Sequence, residues 1–126
     1  MNLLLDTHAL LWALFDPGRL SKAAHAAIGD PTHAVFVSAV SPYEIEWKQR
    51  NGRISIPGVP DWARTLESAS YLPLAVTLGH AQRAARLDVH HRDPWDRLIA
   101  AQAEIENMTL VTRDAAIGRY GVATLW

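Results

Sequence analysis

The sequence contains no cysteine, which removes disulfides, zinc-thiolate centres and thiol nucleophiles from consideration together. Lysine is scarce as well. Only Lys22 and Lys48 occur, against ten arginines, and the net charge is −1. That balance argues against a protein whose hold on nucleic acid rests on bulk positive charge, because such affinity comes from lysine and arginine neutralising phosphates. No apolar run approaches the roughly 20 residues needed to span a bilayer. The opening stretch MNLLLDTHALLW has neither a basic leader nor a small-residue cleavage site, so the expectation is a cytoplasmic protein without a membrane partner. Repeats, low-complexity runs and linker-like stretches are absent, and 126 residues suit one ordinary domain.

What is present alternates regularly. NLLL (2–5), AVFV (34–37), YLPLAV (71–76), TLVT (109–112) and VATLW (122–126) read as short strands. Helices are expected over 7–15, 21–30, 42–51, 60–69, 77–87 and 94–108, with a short helical turn at 114–120. The punctuation agrees, since DPG at 16–18 and Asn51-Gly52 mark stops. Strand and helix alternating from end to end predict an α/β fold, an α/β/α sandwich around a mostly parallel sheet of about five strands. Ligands of such sheets bind outside the carboxyl ends of the strands.

Acidic residues concentrate at those ends. Asp6 follows NLLL directly and Asp114 follows TLVT-Arg113; Glu44 lies on the helix after the second strand, and Asp93 and Asp96 bracket the first turn of the helix at 94–108. Each has a purely structural alternative. Ser41-Pro42-Tyr43-Glu44 fits a capping box with Ser41 as N-cap and Glu44 reaching back. Asp93, Asp6 and Asp114 can cap the helices that follow them, with Thr7 a competitor for Asp6. Capping does not account for the gathering of so many carboxylates at one sheet edge. Their mutual repulsion calls for a positive counter-charge, and oxygen donors without cysteine favour a hard ion, Mg²⁺ or Mn²⁺, over zinc. Such an ion polarises a phosphoryl oxygen and acidifies water, so the chemistry that fits is hydrolysis of a phosphate ester.

Other residues carry weaker signals. Thr7 and Thr112 flank two of the acids and are candidate hydrogen-bonders to carboxylate, water or phosphate, with capping and strand termination as their structural alternatives. Six histidines occur, among them His8 just after Asp6 and the pair His90-His91 before Asp93, but none shows the spacing of a ligand pair. Surface or packing roles are expected for them. Arg83 and Arg86 share a helix face near Arg92 and Arg97, where a solvated surface is the simpler expectation than a phosphate site. The five tryptophans divide between core and a groove for a partner helix in a way composition does not resolve.

The segments LLLDTHALLW, VSAVSPYEIEWK, HHRDPWDRLIAAQA and TLVTRDAAIGRYGVATLW, in this order and spacing, resemble the PIN-domain family and in particular the VapC-type toxins of type II toxin–antitoxin pairs. The likeness runs over essentially all of residues 1–126. It implies a PIN fold with the first strand central, beside the one that delivers Asp114, and a metal-dependent endoribonuclease. Asp6, Glu44, Asp96 and Asp114 correspond to the family's catalytic, metal-binding acids, with Asp93 as an accessory metal ligand. Arg113, next to one of these acids, is placed to meet phosphate or a partner protein. The resemblance also implies an RNA substrate, a homodimer, and a cognate VapB-like antitoxin whose C-terminal segment packs on the toxin. Glu46 departs from the usual pattern, where a small or apolar residue follows the isoleucine, and is expected to add charge near the site.

Two rival readings come from the same features. A phospho-acceptor receiver domain also carries acids at strand ends, but it wants an acidic pair after the first strand and a late lysine, and here Asp6 stands alone. A degenerate PIN relative, retained only for binding, would need to have lost acids that this sequence keeps.

Overall fold

The three leucines of NLLL alternate across a sheet, and that alternation sorts the whole molecule. The computed structural model describes residues 1–88 and 93–126; the His90-His91 pair and Arg92 lie outside the described residues. Strand β1 (Asn2–Leu5) sends Leu4 to one face and Leu3 and Leu5 to the other, all fully buried. Its neighbours β2 (Ala34–Ser38) and β4 (Thr109–Val111) follow the same parity. Phe36, Leu4 and Leu110 stand side by side on one face, while Val37, Leu5 and Val111 do so on the other. Burying each such side chain contributes roughly 1.5–3 kcal/mol.

With β3 (Leu72–Leu74) and β5 (Thr124–Leu125), the sheet is five-stranded, parallel throughout, in the order β3-β2-β1-β4-β5. Helices cover both faces, as parallel strands require. The Leu3 face is covered by α1 (Thr7–Phe15), α2 (Lys22–Gly29) and α4 (Trp62–Ser68), and the Leu4 face by α5 (Leu78–Arg86) and α6 (Pro94–Ile105). Between them α3 (Val40–Arg50) leaves the end of β2 and contributes Val40 to one core and Ile45 to the other. The expected sandwich is therefore the observed one. Expected boundaries hold to within a few residues, with β3 shorter than 71–76 and α6 ending before 108, where Asn107 turns the chain at φ 53.

One boundary is a correction. Helix α3 starts at Val40 with Ala39 as its N-cap and no side-chain cap bond, so Ser41 is not an N-cap and Glu44 does not close a capping box. Ser38 takes over locally, its hydroxyl accepting from Val40 N at 3.1 Å. Pro42 is tolerated because the donors of a helix's first turn have no intrahelical acceptor to lose. At its other end α3 closes as expected at Asn51-Gly52. Gly52 adopts φ 69, Arg53 N donates to Lys48 O and Gly52 N to Gln49 O, the paired bonds of a Schellman motif.

One arginine from each of α5 and α6 links the two helices. Arg83 grips Glu104 of α6 through two bonds of 2.8 and 3.0 Å, and Arg97 donates to the carbonyls of Ala84, Leu87 and Asp88 at the end of α5. Among the described residues no helix is long and apolar enough to cross a membrane.

Candidate active site

The strand order reverses at β1. The chain proceeds outward through β2 and β3, then returns to lay β4 on the other side of β1. Crevices open at such reversals, beyond the carboxyl ends of the strands. Asp6 marks this one: its N–H donates to Val111 O at 3.1 Å, extending the β1–β4 ladder by one bond.

Asp6 is buried, and its carboxylate caps α1, accepting from Ala9 N at 2.7 Å. Thr7 is thereby released from capping. Burial raises the Asp6 pKa above its ordinary value, opposed by hydrogen bonds from the Thr112 hydroxyl and Ala9 N–H and by the charge of His8, and reinforced by Glu44. Thr112, itself buried, accepts from Asp114 N at 3.0 Å, so one hydroxyl ties two of the acids together. Asp114 in turn caps the 3-10 segment Ala115–Tyr120 by accepting from Ala116 N at 2.9 Å.

Glu44 is 2% exposed. One of its oxygens accepts from Thr7 Oγ1 at 2.6 Å, and the other is engaged by the Lys48 ammonium one helical turn on. Because the single Thr7 hydroxyl proton goes to Glu44, the 3.1 Å contact between Thr7 and Ser41 is one in which Ser41 donates. Lys48 is the contact beside the acids that the sequence reading passed over. Its signal was the Glu-to-Lys spacing of four, the favourable orientation on a helix, and the predicted need for a positive charge among the acids is met in part by this ammonium. Glu46, two positions from Glu44 and on another face of the helix, accepts from Trp62 Nε1 at 2.9 Å. That bond turns the Glu46 carboxylate towards α4.

Asp6, Asp96 and Asp114 line one cleft of about 380 Å³ together with His8, Trp12 and Arg113. Glu44 stands behind Asp6, linked to it by repulsion and to the interior by Thr7 and Lys48. Asp93 is not among the lining residues; it is the N-cap of α6, accepting from Trp95 N at 2.9 Å and Asp96 N at 3.4 Å. A larger recess of about 650 Å³ lies between α2 and the start of β3, but Asp30 is the one acid among its described lining residues, and the grouping of three aspartates favours the smaller cleft.

The donor set suits a hard divalent cation. Three aspartates edge one cleft, and burial disfavours the charge on Asp6 until a cation offsets it. Among the described residues no three acidic or histidine side chains already close on one point. That openness is compatible with Mg²⁺, which keeps several waters and takes only one or two carboxylates directly.

Residues 3–123 match the family described as PIN domain. Over 116 residues, 90% of this chain and 87% of the relative, the sequence is 35% identical to Ribonuclease VapC22 of Mycobacterium tuberculosis. In fold it is similar to VapBC2 from Rickettsia felis, crystallised with a DNA fragment from the promoter, with a TM-score of 0.72, 15% identity and 99% and 98% of the two chains covered. A second similar fold is that of FitAcB from Neisseria gonorrhoeae, with a TM-score of 0.62, 20% identity and 98% and 96% covered. Acids at a parallel-sheet switch point, the family match over nearly the whole chain and the relative of like length agree: this chain belongs to the PIN-domain family, with the VapC ribonucleases among its relatives.

Proposed function

We propose that the protein is a divalent-cation-dependent endoribonuclease, the toxin of a toxin–antitoxin pair, with residues 1–126 forming its PIN domain. The observation that carries this is the meeting of Asp6, Asp96 and Asp114 at one cleft in a chain 35% identical to a VapC ribonuclease. A receiver domain is set aside by the family, and a non-catalytic relative is disfavoured because the acids are intact.

In this reading Asp6, Asp96 and Asp114 hold Mg²⁺ or Mn²⁺, with Glu44 behind them and Asp93 serving as cap rather than ligand. When bound, the cation supplies Lewis-acid polarisation of the phosphodiester and makes water a better nucleophile. The chain's own residues do the positioning. The Thr112 hydroxyl fixes Asp6 and the Asp114 backbone together. Thr7 and Lys48 keep Glu44 oriented and its charge balanced. Arg113, exposed on the cleft, offers its guanidinium to the phosphate.

The partners that follow are an RNA substrate, a VapB-like antitoxin and a second copy of the chain in a cytoplasmic homodimer. Exposed Tyr43 and Trp47, one turn apart on α3, support an interface on that helix. Incubating the purified chain with RNA, with Mg²⁺ or Mn²⁺ and with EDTA, and mapping the new ends, tests the activity. Cleavage should need the cation and vanish in Asp6→Asn and Asp96→Asn; a variant that cuts as well as the parent would overturn the assignment of its residue.

A further inference from the structure

The acidic cleft continues into a second one, of which the catalytic reading uses only Arg113. A hollow of about 410 Å³ is lined by Trp12, Arg19, Leu20, Ser21, Arg113 and Trp126, and it shares Trp12 and Arg113 with the cleft of the acids. Its chemistry is of the opposite kind. Among the described residues no Asp or Glu lines it, two guanidinium groups do, and its walls carry two indoles whose ring centres lie 5.6 Å apart. The Arg19 guanidinium stands 5.7 Å from the centre of the Trp12 ring. Its carboxylate partner is Asp16 at 3.8 Å, both side chains largely exposed, and exposed pairs of this kind contribute little and exchange readily.

We propose, resting on the nuclease reading, that this hollow is the binding subsite for the nucleotide next to the scissile phosphate of a single-stranded RNA. Three features point to that occupant. Continuity comes first, since a strand whose phosphate meets Asp6 and Asp96 passes Arg113 and Trp12 as it leaves. Charge is second: Arg113 and Arg19 both line the hollow, and each guanidinium can neutralise a phosphate of a strand lying in it. The third is the indole pair, because an aromatic face accepts a base only when that base is unpaired. The same features exclude a regular duplex, whose bases are stacked on one another, and make Trp12 and Trp126 the residues that distinguish single strands from double.

The test uses a short unstructured oligoribonucleotide with a fluorescein label, the same sequence annealed to its complement, and the full chain. Binding is read by anisotropy in the Asp6→Asn background, so that the strand stays intact, and cutting is read in the otherwise native protein. Arg19→Ala is expected to weaken single-strand binding and flatten its dependence on log salt by about one unit, with Arg19→Glu weaker still. Trp126→Leu should lose about tenfold or more in affinity for the single strand, Trp126→Phe much less, and neither should alter binding of the duplex. Trp126 is half-buried and packs on the core, so melting curves accompany its variants; Arg19 is exposed, and its variants stand without that control. If the parent cuts RNA and the Arg19 and Trp126 variants bind and cut as the parent does, the subsite is overturned while the nuclease reading survives. Loss of a protein partner with RNA binding unchanged would assign the hollow to that partner and overturn the proposal equally. A parent that neither binds nor cuts RNA under any divalent ion would defeat the nuclease reading, and the subsite with it.

Discussion

The carboxyl of Asp6 is drawn two ways, towards charge by the N–H of Ala9 and the hydroxyl of Thr112, and away from it by burial, which prevails and raises its pKa. The consequence for stability has a definite sign. Below the ordinary value of 3.8 the group is protonated whether the chain is folded or not. As pH rises, the unfolded chain ionises first, so stability falls until the folded group ionises as well. Without divalent ions, thermal melts of the parent should therefore show this loss above pH 4, and Asp6→Asn should melt higher than the parent at neutral pH. Asparagine keeps the cap, being among the best N-cap residues, so the comparison isolates charge. Lys48→Met is expected to cost about 2–4 kcal/mol in denaturant unfolding, less than the roughly 3–5 kcal/mol for breaking a fully buried pair because the lysine retains some solvent. Combining it with Glu44→Gln should recover much of that cost, a coupling that a double-mutant cycle reads directly. At this scale the sequence disclosed Asp6 and Asp114 because strand ends are visible as the stop of an apolar run, and Asp96 because Asp93-Pro94 marks the start of a helix. It concealed Lys48, since which of several polar groups on a helix turns inward depends on what packs above it.

Among the helices, the starts of α6 and α3 make an instructive pair. Asp93-Pro94 announces the first correctly, with Asp93 as N-cap and proline at the first helical position. Asp93→Ala should destabilise the protein by about 1 kcal/mol, while Asp93→Asn should not. If Asp93 is a cap and not a ligand, the asparagine variant also keeps its cation dependence and its cleavage rate, and a loss of either in that variant would return Asp93 to the metal site. Ser41-Pro42 carries a similar signature and misleads. Val40, at the expected N′ position, is more useful buried between the layers, and the helix extends back to include it; burial of a side chain outweighs a capping bond worth about 1 kcal/mol. The displaced Glu44 then has no amide to reach back to and engages Thr7 and Lys48 instead. Local chemistry thus predicted that a helix begins here but not at which residue.

For the molecule as a whole, the parallel sheet and its layers were evident from the alternation of elements, since strands this short and this apolar must be covered on both sides. That β4 returns to the side of β1 opposite β2 was implied by resemblance alone, because no residue spacing records which edge a returning strand will choose. The cleft follows from that choice. If a cation occupies it, millimolar Mg²⁺ or Mn²⁺ should raise the melting temperature of the parent, since a ligand that binds only the folded state stabilises it by mass action. The rise should be lost in Asp96→Asn, and an equal rise in both proteins would place the cation elsewhere.

The same topology puts a clock into synthesis. The central strand β1 emerges first, and its partner β4, with Asp114 just beyond it, emerges only after β2 and β3. At about 5–20 residues per second, a ribosome needs roughly 5–20 s to travel from one to the other. Throughout that interval the nascent chain holds Asp6 but not the neighbour that completes the cleft, so, under the proposed nuclease function, a growing polypeptide spares the message that encodes it until β4 and Asp114 have left the tunnel.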